Sequence, residues 1–115
     1  MNKRDIVVYI SGKYSGDTEP NIQAARKKAI ELWELGFTVL TPHLNTMNFD
    51  GDCECSYEDY IEGDLALLNR CDIIYMLEGW ESSGGARIEK DYARKEGIHI
   101  VFNDKELNDY WKEMI

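Results

Sequence analysis

Four short apolar runs, Ile6–Ile10, Phe37–Leu40, Ile73–Leu77 and Ile98–Phe102, recur along this chain with helical patterns between them. The first run is continuous rather than alternating, which suits a strand buried on both faces of a parallel sheet. After the first, Ile22, Ala25, Ala29, Leu32 and Trp33 recur at helical spacing, and Gly36 closes the segment. Asp17 or Thr18 is placed to cap that helix, with Glu19 and Pro20 in its first turn. Ser56 with Asp59 has the capping-box spacing, ahead of a second helix whose inner stripe is Ile61, Leu65 and Leu68. A third helix is predicted over Ala86–Lys95 and an amphipathic last one over Lys105–Met114. Strands alternating with helices imply βαβ units. The expected fold is a three-layer α/β arrangement of the Rossmann or flavodoxin type. Its sheet is small and mostly parallel, with four to five strands and helices on both faces.

At 115 residues the chain is expected to be one domain spanning 1–115. Its formal charge of −9 (13 Lys+Arg against 22 Asp+Glu) repels polyanions, so a nucleic-acid polymer is not the expected partner. A small anion can still bind where helix N-termini supply local positive potential. No apolar stretch reaches the roughly 18 residues of a membrane span, and the N-terminus lacks a signal-peptide pattern. Three cysteines, Cys53, Cys55 and Cys71, argue for reduced thiols rather than a disulfide framework. A soluble, cytoplasmic protein with no membrane partner is expected.

Right-handed crossovers place every strand-to-helix turn on one edge of such a sheet. That brings together Gly12–Gly16, Pro42–Asn45 and Glu78–Gly85. On the third helix, Ile88, Glu89, Tyr92 and Ala93 share one arc at about 100° per residue. A carboxylate inside an apolar arc costs several kcal/mol to bury unpaired, so Glu89 needs partners or a function. Ser82-Ser83-Gly84-Gly85 precedes that helix, with serines that cap and glycines that let amides approach an anion. The first turn, with Gly12, Lys13 and Ser15, is a second phosphate cradle candidate, although it lacks the dinucleotide and P-loop fingerprints. Asp64 flanks the stripe of the second helix, where the pocket and solvent are both open to it. His43 follows the second strand within reach of a substrate, and Tyr9 either offers a hydroxyl or fills core. Residues 43–55 read as a polar loop without periodicity, long enough to serve as a lid. Cys53-x-Cys55 with Asp50, Asp52 and His43 lacks a second cysteine pair, and no metal is expected.

Tyr9-Ile10-Ser11-Gly12, Val39-Leu40-Thr41-Pro42-His43, Asp64 to Asp72 and Gly79 to Glu89 together resemble the nucleoside 2-deoxyribosyltransferase superfamily. The chain is most similar to its small domain-of-unknown-function branch, and it also resembles the 2'-deoxynucleoside 5'-phosphate N-hydrolases. The resemblance implies Glu89 as a nucleophile on the anomeric carbon, Asp64 as the group that protonates the departing base, and Tyr9 as the residue that orients Glu89. Ser83 stands where transferases tend to place an aspartate for the 5'-hydroxyl and where the hydrolases use serine for a phosphate. Gly12, Lys13 and Ser15 fall in the segment that meets the same phosphate, whereas Arg87 departs from the usual uncharged residue. No cofactor is implied. The expected function is hydrolysis of the N-glycosidic bond of a 2'-deoxyribonucleoside 5'-monophosphate. Base exchange between deoxynucleosides and a non-catalytic nucleotide-binding module are the alternatives, and a homodimer or higher homo-oligomer is expected.

Overall fold

A computed structural model of the chain describes residues 2–47, 49 and 51–115. It contains a four-stranded, all-parallel sheet in the order β2-β1-β3-β4, built from β1 (Val7–Ser11), β2 (Thr38–Leu40), β3 (Ile73–Met76) and β4 (His99–Val101). The two central strands are the longest and most apolar, and every β3 residue is buried. Their register pairs Tyr9 with Ile74 and Ser11 with Met76. The expected α/β architecture is therefore present, with four strands.

Side chains alternate across a strand, and this alternation sorts the core into two layers. Val8, Ile10, Ile73 and Tyr75 face α1 (Thr18–Glu34) and α5 (Asp104–Met114), where Ala25, Ala29, Leu32 and Leu107 close the packing. Tyr9, Ile74 and Met76 face α3 (Tyr57–Leu68) and α4 (Gly84–Glu96), meeting Leu68, Ala86 and Ala93. Ser11, two residues beyond Tyr9, points the same way. That face carries the polar chemistry.

The helix ends follow local chemistry. Ser56 Oγ accepts from the Asp59 amide at 3.1 Å while Asp59 Oδ2 accepts from the Ser56 amide at 2.8 Å, the reciprocal cap expected for α3. Asp17 sits at the N-cap of α1 without a side-chain bond there. Gly97, at φ +76°, ends α4, and the Ile98 amide donates back to the Ala93 carbonyl. Lys28 on α1 pairs with Glu31 and with Asp104, which also accepts from the Tyr75 hydroxyl, so α5 is tied to the sheet by polar contacts as well as by Leu107. No described helix is long and apolar enough to cross a membrane.

Three expectations change. Trp33 and Ile88, both assigned to inner faces, are 42% exposed, because each lies one helical step beyond the arc its neighbours bury. The stretch 43–55 is not wholly irregular: Pro42–Asn45 forms a one-turn helix, α2, started by proline at its first position. Within the proposed lid, Asn48 and Asp50 lie outside the described residues. Helix α4 begins at Gly84, two residues earlier than its apolar pattern suggests, since glycines carry no periodic signal.

Candidate active site

The carboxyl ends of β1, β2 and β3 open onto a cavity of about 520 Å³, within the range of small-molecule sites. Lys13 and Ser15 after β1, His43 on α2, Asp64 on α3, and the turn Ser82–Gly85 with Glu89 on α4 all line it. Gly12 lines it too, so the three turns do converge. Tyr9 is fully buried behind Glu89.

Glu89 is 6% exposed, and both of its oxygens have donors from β1. The Tyr9 hydroxyl donates to Oε2 at 2.5 Å and the Ser11 hydroxyl to Oε1 at 2.6 Å. Burial pushes the Glu89 carboxyl up to about 7; the two hydroxyls oppose that shift and the charge of Asp64 adds to it. Asp64 is half-buried, and desolvation alone raises it to about 6. Tyr9 is driven far above its ordinary value by burial and then by the two carboxylates, so it stays a donor. Two acids with raised pKa values thus face one cavity, a pattern associated with proton transfer.

The N-terminus of α4 forms the opposite polar feature. Ser83 is the N-cap: its Oγ accepts from the Ala86 amide at 3.1 Å and its carbonyl from the Arg87 amide at 3.0 Å. Of the four amides that begin a helix, that of Ser83 donates to the Trp80 carbonyl and that of Ala86 to Ser83 Oγ, while those of Gly84 and Gly85 have no partner among the described residues. Ser82 is not a cap. It belongs to a short 3-10 turn, Trp80–Ser82, and donates to the Gly79 carbonyl at 3.0 Å, although it still lines the cavity.

His43 is buried, and its Nε2 lies 2.9 Å from the Lys13 carbonyl. A carbonyl only accepts, so Nε2 carries the hydrogen and Nδ1 is the bare acceptor, buried without a partner in the described structure. Burial lowers the pKa of the ring, which keeps it neutral. Its place is therefore under the Lys13 turn, holding it from below, rather than in a loose loop. Gly12 is needed in the same turn: a Cβ there would stand 2.9 Å from Leu77 Cδ1 and 3.0 Å from Leu77 Cβ. Gly12→Ala is expected to destabilise the fold by about 1–3 kcal/mol through overpacking and to weaken ligand binding, as urea denaturation and calorimetry would show.

Among the described residues no cluster of three or more His, Cys, Asp or Glu could hold a metal. Cys55 reaches the cavity, while Asp50 lies outside the described residues. A second cavity of about 480 Å³, bordered by Arg26, Ile30, Trp33, Leu44 and Leu67, has similar volume but no carboxylate in its lining. Chemistry, not size, selects the first.

Sequence reasoning missed the bond from Ser11 to Glu89 and the contribution of Tyr57, Tyr60 and Ile61 to the cavity wall. Strand period 2 from Tyr9 reaches Ser11, and helical spacing back from Asp64 reaches Ile61, Tyr60 and Tyr57. These patterns give the face on which each side chain lies; the partner it meets there is decided by the fold.

Residues 6–102 match the family described as "Domain of unknown function (DUF4406)". The chain belongs to this family. No curated protein sequence matches it significantly. Among solved structures, it is similar to the 2-deoxyribosyltransferase of the psychrotolerant bacterium Bacillus psychrosaccharolyticus, a biocatalyst for antiviral and antitumoral nucleosides. That match has a TM-score of 0.63 and 18% identity, over 82% of this chain and 69% of that one. It is also similar to a conserved protein from Enterococcus faecalis V583, with TM-score 0.72 and 15% identity, over 84% of this chain. The aligned region spans 62% of the Enterococcus protein. At such identities the likeness is one of fold, and it places this DUF4406 chain on the deoxyribosyltransferase architecture that the motifs resemble.

Proposed function

We propose that this DUF4406 protein hydrolyses the N-glycosidic bond of a 2'-deoxyribonucleoside 5'-monophosphate, with Glu89 as nucleophile. The observation that carries the reading is a buried carboxylate, held by a hydroxyl on each oxygen, in one cavity with a second raised acid and a helix N-terminus. A Glu89 oxygen attacks the anomeric carbon as its bond to the base nitrogen breaks, giving a glycosyl ester through an oxocarbenium-like transition state. Asp64 gives its proton to the departing base. The resulting aspartate then takes a proton from water, which attacks the same carbon and releases deoxyribose 5-phosphate and free Glu89.

This sequence needs Glu89 ionised and Asp64 protonated. In the ligand-free pocket the order is reversed, with Glu89 at about 7 and Asp64 at about 6. A bound nucleotide corrects it. Asp64, still partly in water, loses that water under the base and rises further, whereas Glu89 is already buried and keeps its donors. The Gly84 and Gly85 amides, with Ser83 and Lys13, are placed to receive the phosphate. Its binding energy then positions the sugar.

Base exchange is the second reading, favoured by the likeness to a 2-deoxyribosyltransferase: another base would intercept the ester in place of water. One assay separates the two. Purified protein is incubated with mixed deoxynucleosides and their 5'-monophosphates, with and without an added free base, and followed by chromatography. Free base released from monophosphates in preference to nucleosides, with no new nucleoside, supports hydrolysis. A new nucleoside supports exchange, and no base from any substrate defeats both.

A further inference from the structure

We propose that Ser11 is a positioning residue for Glu89: from the end of β1 its hydroxyl holds Oε1, as Tyr9 holds Oε2, and together they select the ionised carboxylate in a fixed orientation. This deepens the reading of Glu89 as the nucleophile and rests on it. Ser11 is fully buried, its backbone oxygen accepts from the Leu77 amide at 2.8 Å, and the ladder pairs it with Met76. The hydroxyl therefore has one rotor to adjust and no solvent to turn to.

The selection follows from donor counting. A carboxylate accepts from two hydroxyls at once, one on each oxygen. If Glu89 is protonated, one oxygen becomes a donor, and whichever hydroxyl faced it must turn into an acceptor or lose its buried partner. Two fixed donors thus favour the anion, against a burial that disfavours it. The same bonds leave lone pairs on both oxygens for the cavity side, so the carboxylate plane is set before substrate arrives. The other titratable groups around it are Tyr9 from β1, Asp64, Tyr57 and Tyr60 from α3, His43 from α2 and Lys13 after β1. Cys55 lines the same cavity; among the described residues Tyr9, by its bond, and Asp64, by its charge, act on Glu89 beside Ser11.

The test uses two variants, Ser11→Ala, which removes the donor at nearly unchanged volume, and Ser11→Cys, whose thiol donates only weakly. The side-chain carboxyl carbon of Glu89, labelled with 13C, is titrated by NMR in the ligand-free protein. A donor removed from the anion raises the midpoint, by about one pH unit for a charge-assisted bond. The acid limb of the kcat profile moves up equally, because activity needs the ionised form, while KM above that limb changes little. A midpoint unchanged in either folded variant overturns the proposal. If the wild-type protein releases no base from any nucleotide, the hydrolase reading fails, and the NMR midpoint still decides the role of Ser11.

Discussion

Glu89→Gln is expected to abolish base release and at the same time to make the protein more stable above neutral pH. Loss of a nucleophile that acts together with its partners costs roughly 10⁴–10⁶ in kcat. Glutamine keeps the shape and an acceptor for one hydroxyl but cannot form the glycosyl ester. The stability gain follows from the raised pKa. An acid at about 4.5 when unfolded and about 7 when folded has the same protonation in both states at low pH. As pH rises from 4.5 to 7 the unfolded chain ionises first, so the folded state loses stability, by up to about 3 kcal/mol once both are ionised. Glutamine removes that loss. Urea denaturation should therefore show variant and parent alike near pH 4, a gap opening between pH 4.5 and 7, and a plateau above. A variant less stable than its parent at pH 8, or one that still releases base, would refute this account of the carboxylate.

Asp64→Asn carries the second largest effect. General acid assistance contributes about 10²–10⁴-fold, and the whole of it should be lost for ordinary bases, which leave poorly without a proton. A nitrophenyl deoxyriboside 5'-phosphate, whose leaving group departs as a stable anion, should lose much less. The pH profile adds a sign. The parent needs Asp64 protonated and Glu89 ionised; with the two at about 6 and about 7 in the free enzyme, kcat/KM should be level between those values and fall as pH rises past about 7. In the variant that alkaline limb disappears and the acid limb set by Glu89 remains. Equal losses for both leaving groups would instead assign Asp64 to binding.

Such contrasts depend on where Glu89 and Asp64 sit, and the sequence disclosed them unequally. Glu89 was legible because a charged residue broke an apolar helical arc, of which Ala93 is buried and Tyr92 half-buried as that pattern requires. Ile88 was misjudged because an arc drawn at 100° per residue has soft edges, and its exposure depends on what neighbours that flank. Asp64 lay between pocket and solvent on a helical wheel; only the docking of α3 against α4 turns it inward. The reciprocal cap of Ser56 and Asp59 was readable because both partners lie within one turn. By contrast, the Ser11 bond spans 78 positions, and no local pattern announces a contact at that separation.

The sequence by itself determined the alternation of strands and helices, the parallel sheet and the edge on which the turns gather, since each follows from short-range periodicity and the fixed hand of crossovers. It also marked Glu89 and the two glycines that open α4 as out of place in an ordinary helix. The tertiary structure alone decided that Tyr9 and Ser11 hold the two oxygens of Glu89, that His43 supports the Lys13 turn from beneath, and that Asp64 shares the cavity. Hydrogen bonding and desolvation act over a few ångströms in space, and they depend on which distant segments the packed sheet brings together.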